Sequence, residues 1–199
     1  MKRAVIVHCW EGYPEYCWYP WAKRELEKRG FEVQVPAMPD TDRPQMEKWI
    51  SHLAQAIGEP DEELWLIGHS IGAVTVMRYL ETLPANPQPG ASGPGGKKIA
   101  GAVLVAGFTD DLGYTELANF FPQPLDYARI RGAVAGRIAL IQSDNDPFVP
   151  RRHGDILADE LGARLIVKHA AGHFSGEDHC TELPEVVGVI DDRRRAAQL

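Results

Sequence analysis

Residues 63–74, Glu-Leu-Trp-Leu-Ile-Gly-His-Ser-Ile-Gly-Ala-Val, constrain this chain more than any other stretch. Leu64, Leu66 and Ile67 read as a buried strand, and Ala73, Val74, Met77 and Leu80 carry helical spacing directly behind it. Between them stands Gly68-His69-Ser70-Ile71-Gly72, a G-x-S-x-G. A strand that turns sharply into a helix at such a motif lifts the serine hydroxyl clear of the sheet, where a base can take its proton. Gly68 and Gly72 lack the Cβ atoms that would keep strand and helix apart. The turn also leaves amides free at the helix N-terminus, so the Ile71 N–H is a candidate oxyanion donor. The bland alternative is that Ser70 merely caps the helix.

The other segments alternate in the same way. Ala4-Val5-Ile6-Val7 is a β-branched run, and residues 18–29 read as a helix closed by Gly30. Phe31 to Val35 predicts a second strand; Met46, Trp49, Ile50, Leu53, Ala54 and Ile57 lie on one helical face. Further strands are expected at Ile99 to Ala106, Ile138 to Gln142 and Leu165 to Lys168, with helices over His153 to Leu161 and Leu183 to Ile190. Strands alternating with helices predict an α/β fold: one domain over 1–199, a mostly parallel central sheet with helices on both faces, a three-layer sandwich. Residues 84–97, rich in proline and glycine, read as a flexible surface loop, and 191–199 as a charged, fraying tail.

A net charge of −7 argues against a nucleic-acid partner and favours a small neutral or cationic substrate. Cys9, Cys17 and Cys180 show no metal-type spacing, and no segment reaches membrane-spanning length or reads as a signal peptide, so a cytoplasmic protein is expected, a monomer or weak dimer.

A serine nucleophile on this architecture needs an acid and then a base, in that chain order, at the carboxyl ends of later strands. Ser143-Asp144-Asn145-Asp146-Pro147 follows one strand, and Asp146 is the chosen acid, with Asp144 read as capping the turn. His173, in Gly172-His173-Phe174 after the last strand, is the chosen base, and His169 is read as a packed or surface residue. The second oxyanion donor is assigned to the turn after the first strand, with Trp10 preferred and Cys9 second. Aromatics between Tyr13 and Trp21 are candidates for a pocket wall, although Trp18 and Trp21 suit helix-to-sheet packing equally. A metal site among His169, His173, Asp178, His179 and Cys180 is disfavoured, because no tight ligand pair occurs and the serine elbow would be left unexplained. The turn after the first strand, His8-Cys9-Trp10-Glu11-Gly12, lacks nucleotide-binding glycines, which argues against a nucleotide cofactor.

The chain resembles the small serine-hydrolase family typified by retinoblastoma-binding protein nine, a minimal α/β-hydrolase. The likeness rests on Trp18-Tyr19-Pro20-Trp21, Met38-Pro39-Asp40, Ile67-Gly68-His69-Ser70, Met77-Arg78-Tyr79, Asp146-Pro147-Phe148-Val149-Pro150 and Gly172-His173-Phe174. It implies a Ser70, Asp146, His173 triad that hydrolyses ester or peptide bonds without metal or cofactor. The chain departs from the family at His8-Cys9-Trp10, where glycine is usual in the middle, and it has no L-x-C-x-E motif for binding the retinoblastoma protein. A carboxylesterase acting on small esters is the leading expectation. An aminopeptidase-like amide hydrolase on short peptide substrates and a non-catalytic binding protein of the same fold are the alternatives.

Overall fold

The computed structural model describes residues 1–84 and 98–192. Six strands form one parallel sheet: β1 (Arg3–Val7), β2 (Glu32–Gln34), β3 (Leu64–His69), β4 (Ile99–Val105), β5 (Val134–Ser143) and β6 (Arg164–Lys168). Their order is β2-β1-β3-β4-β5-β6, with every neighbouring pair parallel. The chain therefore reverses its direction of winding between β1 and β3, and a crevice opens there at the carboxyl ends of the strands. The loops after β1 and β3 meet at that point.

Helices cover both faces, as the alternation predicts. The helices are α1 (Tyr19–Glu27), α2 (Met46–Ile57), α3 (Ile71–Thr82), α4 (Tyr127–Gly132), α5 (Arg152–Leu161) and α6 (Pro184–Asp191). One core joins α2, α3, α4 and α5 to the sheet through Trp49, Leu53, Val74, Ile130 and Leu157. The other joins α1 and α6 through Trp18, Leu26, Val186 and Ile190. β3 and β4 lie between the two cores, which explains why both read as unbroken apolar runs rather than alternating ones.

Several boundaries differ from the sequence reading. β2 is only three residues long, and β5 begins four residues before Ile138 because Val134 pairs with Ile99 ahead of a register shift. The expected fraying from Asp191 is corrected for its first two residues: Asp191 ends α6 and accepts from Arg29 Nε at 2.7 Å, and Asp192 faces Arg164 at 3.3 Å. Residues 193–199 and all but Pro84 of the expected 84–97 loop lie outside the described residues.

α3 is buried from Ile71 to Leu80, the most enclosed helix of the fold, and it enters the sheet with almost no clearance. A Cβ on Gly72 would collide with the backbone oxygens of Val7 and His8, and one on Gly68 would come within 2.5 Å of Ala73 Cα. Backbone atoms of β1 and α3 cannot step aside without moving both elements. Gly72→Ala is therefore expected to destabilise the protein by about 3 kcal/mol, read as a lowered midpoint in urea unfolding. An unchanged midpoint would show that the close approach of α3 to β1 is not required.

Candidate active site

Ser70 sits between β3 and α3 with φ 57° and ψ −121°, a conformation that L-residues rarely adopt. Such strain costs about 1–3 kcal/mol and persists only where the surroundings impose it. Here they do, through the Ser70 N–H bond to the Val105 carbonyl at 2.8 Å on one side and the glycine contacts on the other. The side chain points into the crevice.

His173 and Asp146 reach Ser70 from two later loops. His173 Nε2 lies 2.9 Å from Ser70 Oγ, and His173 Nδ1 lies 2.7 Å from Asp146 Oδ2. The Asp146 side chain is completely buried, and its other oxygen accepts the N–H groups of Phe148 and Val149 at 2.9 and 3.0 Å. That carboxylate is therefore anchored by its own turn, with one oxygen left to face the imidazole. Asp144 stands apart, bonded to Ala170 N–H and to exposed His169. The same Ala170 bond holds the Asp144 carboxyl below its usual range, His169 adding to the effect.

The loop carrying His173 is fastened by side chains that sequence reasoning missed. Asp178 Oδ2 accepts from His173 N–H, Ser175 N–H and Ser175 Oγ at 2.7–3.0 Å. Burial pushes the Asp178 carboxyl up, but these bonds outweigh it and leave the net shift downward. Asn145 Oδ1 accepts from Gly172 N–H, and Ser143 Oγ accepts from Ala171 N–H. A polar residue at the end of β5 and an aspartate five positions after the histidine are local signals that could have drawn attention to these roles. Asp178, considered above for a metal, is occupied by this loop, and among the described residues no group of three or more potential ligands is placed to hold a metal ion.

The candidate oxyanion donors fall on the same side of Ser70. Ile71 is the first residue of α3, and its N–H has no partner among the described residues. In the first turn, Cys9 N–H donates to Tyr19 Oη at 3.0 Å, whereas Trp10 N–H has no partner among the described residues. His8 sets that turn. Met38 N–H donates to His8 Nε2, so the ring proton lies on Nδ1 and is donated to the Cys9 carbonyl at 2.8 Å. Cys9 borders the cavity too, but burial pushes its thiol pKa up, so it stays protonated beside Ser70.

A cavity of about 390 Å³ opens over Ser70, with Trp10, Ile71, Phe108, Leu117 and Val149 among its walls. Of the aromatics between Tyr13 and Trp21, Tyr16 borders it; Trp18 and Tyr19 are buried in the core instead. The opposite wall comes from residues 108–117, which the sequence reading left unassigned. Just beyond that wall, buried Arg78 fastens the chain by donating to the carbonyls of Phe120 and Gln123.

Burial lowers the pKa values of His8 and His153, and burial together with nearby His173 brings His69 down to about 3. In the unfolded chain these groups titrate near 6.5, so their contribution to stability is present above that pH and is lost as the unfolded state takes up protons below it. His69 alone is expected to cost up to about 1.4 kcal/mol per pH unit below 6.5. Urea midpoints measured between pH 7 and 5 should therefore fall, and a flat profile would contradict neutral burial.

A serine on a strained strand-to-helix turn, with a histidine and an aspartate in series over a parallel sheet, defines a serine hydrolase of the α/β-hydrolase type. The chain belongs to the serine hydrolase family, whose model matches residues 4–192. It is 28% identical to YdeN of Bacillus subtilis over 190 residues, 95% of this chain and 94% of that one. It is 30% identical to serine hydrolase RBBP9 of Rattus norvegicus over 176 residues, 87% of this chain and 84% of the relative. The crystal structure of the B. subtilis ydeN product superposes with a TM-score of 0.85 at 27% identity, covering 96% of this chain and 97% of that one.

Proposed function

We propose that this protein is a carboxylesterase of small substrates that works through an acyl-enzyme on Ser70. The observation that carries the reading is the unbroken run Ser70 Oγ, His173 Nε2, His173 Nδ1, Asp146 Oδ2, with steps of 2.9 and 2.7 Å. His173 takes the Ser70 proton as the hydroxyl oxygen attacks the ester carbonyl. Asp146 holds the imidazole proton on Nδ1 and balances the cation that forms. The Ile71 and Trp10 amides meet the oxygen that becomes negative. Collapse of the tetrahedral intermediate expels the alkoxide, which takes the proton from His173; a water deprotonated by His173 then attacks the acyl carbon, and the acid leaves as Ser70 Oγ takes that proton back.

A cavity of about 390 Å³ walled by Phe108, Leu117 and Val149 suits a short apolar acyl group. The proposed chemistry needs neither metal nor cofactor, since serine, imidazole and amides supply the nucleophile, the proton transfers and the charge stabilisation. We also place the protein in the cytoplasm, on the support of three free cysteines. The test is intact-mass spectrometry after exposure to a fluorophosphonate, followed by hydrolysis assays on p-nitrophenyl esters of graded chain length and on amino-acid p-nitroanilides. A single adduct with faster turnover of the short esters is expected. Faster turnover of the anilides would replace the esterase reading with the amidase one, and no adduct on the folded protein would favour a binding role.

A further inference from the structure

Two completely buried side chains beside Ser70 take no part in these proton transfers: Tyr19 on α1 and His69 at the end of β3. Their bonds form one run. Cys9 N–H lies 3.0 Å from Tyr19 Oη, Tyr19 Oη lies 2.6 Å from His69 Nδ1, and His69 Nε2 lies 2.8 Å from the His173 carbonyl oxygen. The ends dictate its direction. A backbone N–H only donates and a carbonyl only accepts, so the His69 proton is on Nε2 and the Tyr19 hydroxyl proton points at Nδ1.

This run spans the site from one loop to the other. Cys9 immediately precedes Trp10, the proposed oxyanion donor, and His173 is the proposed base. The Cys9 carbonyl is held separately by His8 Nδ1 at 2.8 Å and Gly12 N–H at 3.1 Å. In a planar trans peptide the Trp10 N–H points away from that oxygen, so pinning Cys9 from both sides aims the Trp10 amide. We propose that Tyr19 and His69 are positioning residues, which hold the oxyanion loop and the His173 loop at one fixed spacing across Ser70. This rests on the acyl-enzyme reading above.

The relay also requires His69 to stay uncharged. Its ring centroid is 5.2 Å from that of His173, so a cation there would oppose the imidazolium that forms in the reaction. Trp18 and Tyr19 pack against the His69 ring at 5.8 Å. The other titratable groups felt at His69 are His8, which disfavours a charge, and Asp178, which favours one; burial prevails over both.

Tyr19→Phe removes the link and keeps the ring. The folded variant is expected to react with a fluorophosphonate about tenfold or more slowly than the native protein, with kcat for an ester falling in step and KM within about twofold. His69→Gln, whose amide can donate at one end and accept at the other, is expected to retain more activity than His69→Leu. A purely structural role would lower the melting temperature without this split. Native labelling rates in folded Tyr19→Phe, or equal losses in His69→Gln and His69→Leu, would overturn the relay.

Imidazole ¹⁵N NMR on the native protein reads the relay even where a variant fails to fold. An Nε2–H tautomer that does not titrate between about pH 5 and 9 is expected, and an Nδ1–H tautomer or a titrating His69 would overturn it. Failure of the native protein to label at all would instead overturn the acyl-enzyme reading, while the NMR result would still stand on its own.

Discussion

Replacing Ser70 with alanine is expected to lower kcat for ester hydrolysis by about 10⁴-fold or more and to abolish the fluorophosphonate adduct. Cys9, which borders the same cavity, is not poised to take over the attack. The Cys9 thiol is kept protonated by burial, and its neighbouring amide is committed to Tyr19. The fold should survive, because alanine tolerates φ 57° about as well as serine and the backbone bond to Val105 does not involve the side chain. Stability is expected to change by about 1 kcal/mol or less, the worth of the lost bond to His173. An adduct retained by Ser70→Ala would remove Ser70 from the mechanism.

Asp146→Asn is expected to cost about 10³- to 10⁴-fold in kcat, through a change of tautomer rather than of shape. The N–H groups of Phe148 and Val149 hold one side-chain oxygen in place, so an asparagine amide would turn its NH₂ toward His173. His173 Nδ1 would then have to accept, its proton would move to Nε2, and that nitrogen could no longer take the Ser70 proton. Asp144→Asn provides the contrast. That carboxylate bonds exposed His169 and the Ala170 amide and does not touch the His173 ring, so its loss should change kcat by less than about threefold. Comparable losses in the two variants would assign the orienting role to both acids.

Each element expected from apolar spacing is present among the described residues, and the helix Met46–Ile57 has the bounds its stripe suggests. The elbow was legible because its requirements are local: a serine in a strained turn flanked by two positions where backbone passes backbone, so that only glycine fits. Where the reading fell short, the missing information was not local. Val134 belongs to β5 only because Ile99 pairs with it, and of the aromatic residues after β1, Tyr16 reaches the cavity while Trp18 and Tyr19 are buried in the core.

Spacing and residue type, read along the chain, thus determined the parallel α/β architecture, the serine elbow and the two later loops from which an acid and a base would have to come. Tertiary structure decided what depends on partners far apart in the chain. It left Trp10 rather than Cys9 with an amide that has no partner among the described residues, because Tyr19 occupies the Cys9 N–H. It turned Asp178 from a metal candidate into the clasp of the His173 loop, and built a cavity wall from residues 108–117. The reason is physical: side-chain periodicity is written in the sequence, but where a backbone N–H finds its acceptor is settled only when separate loops are brought to the same sheet edge.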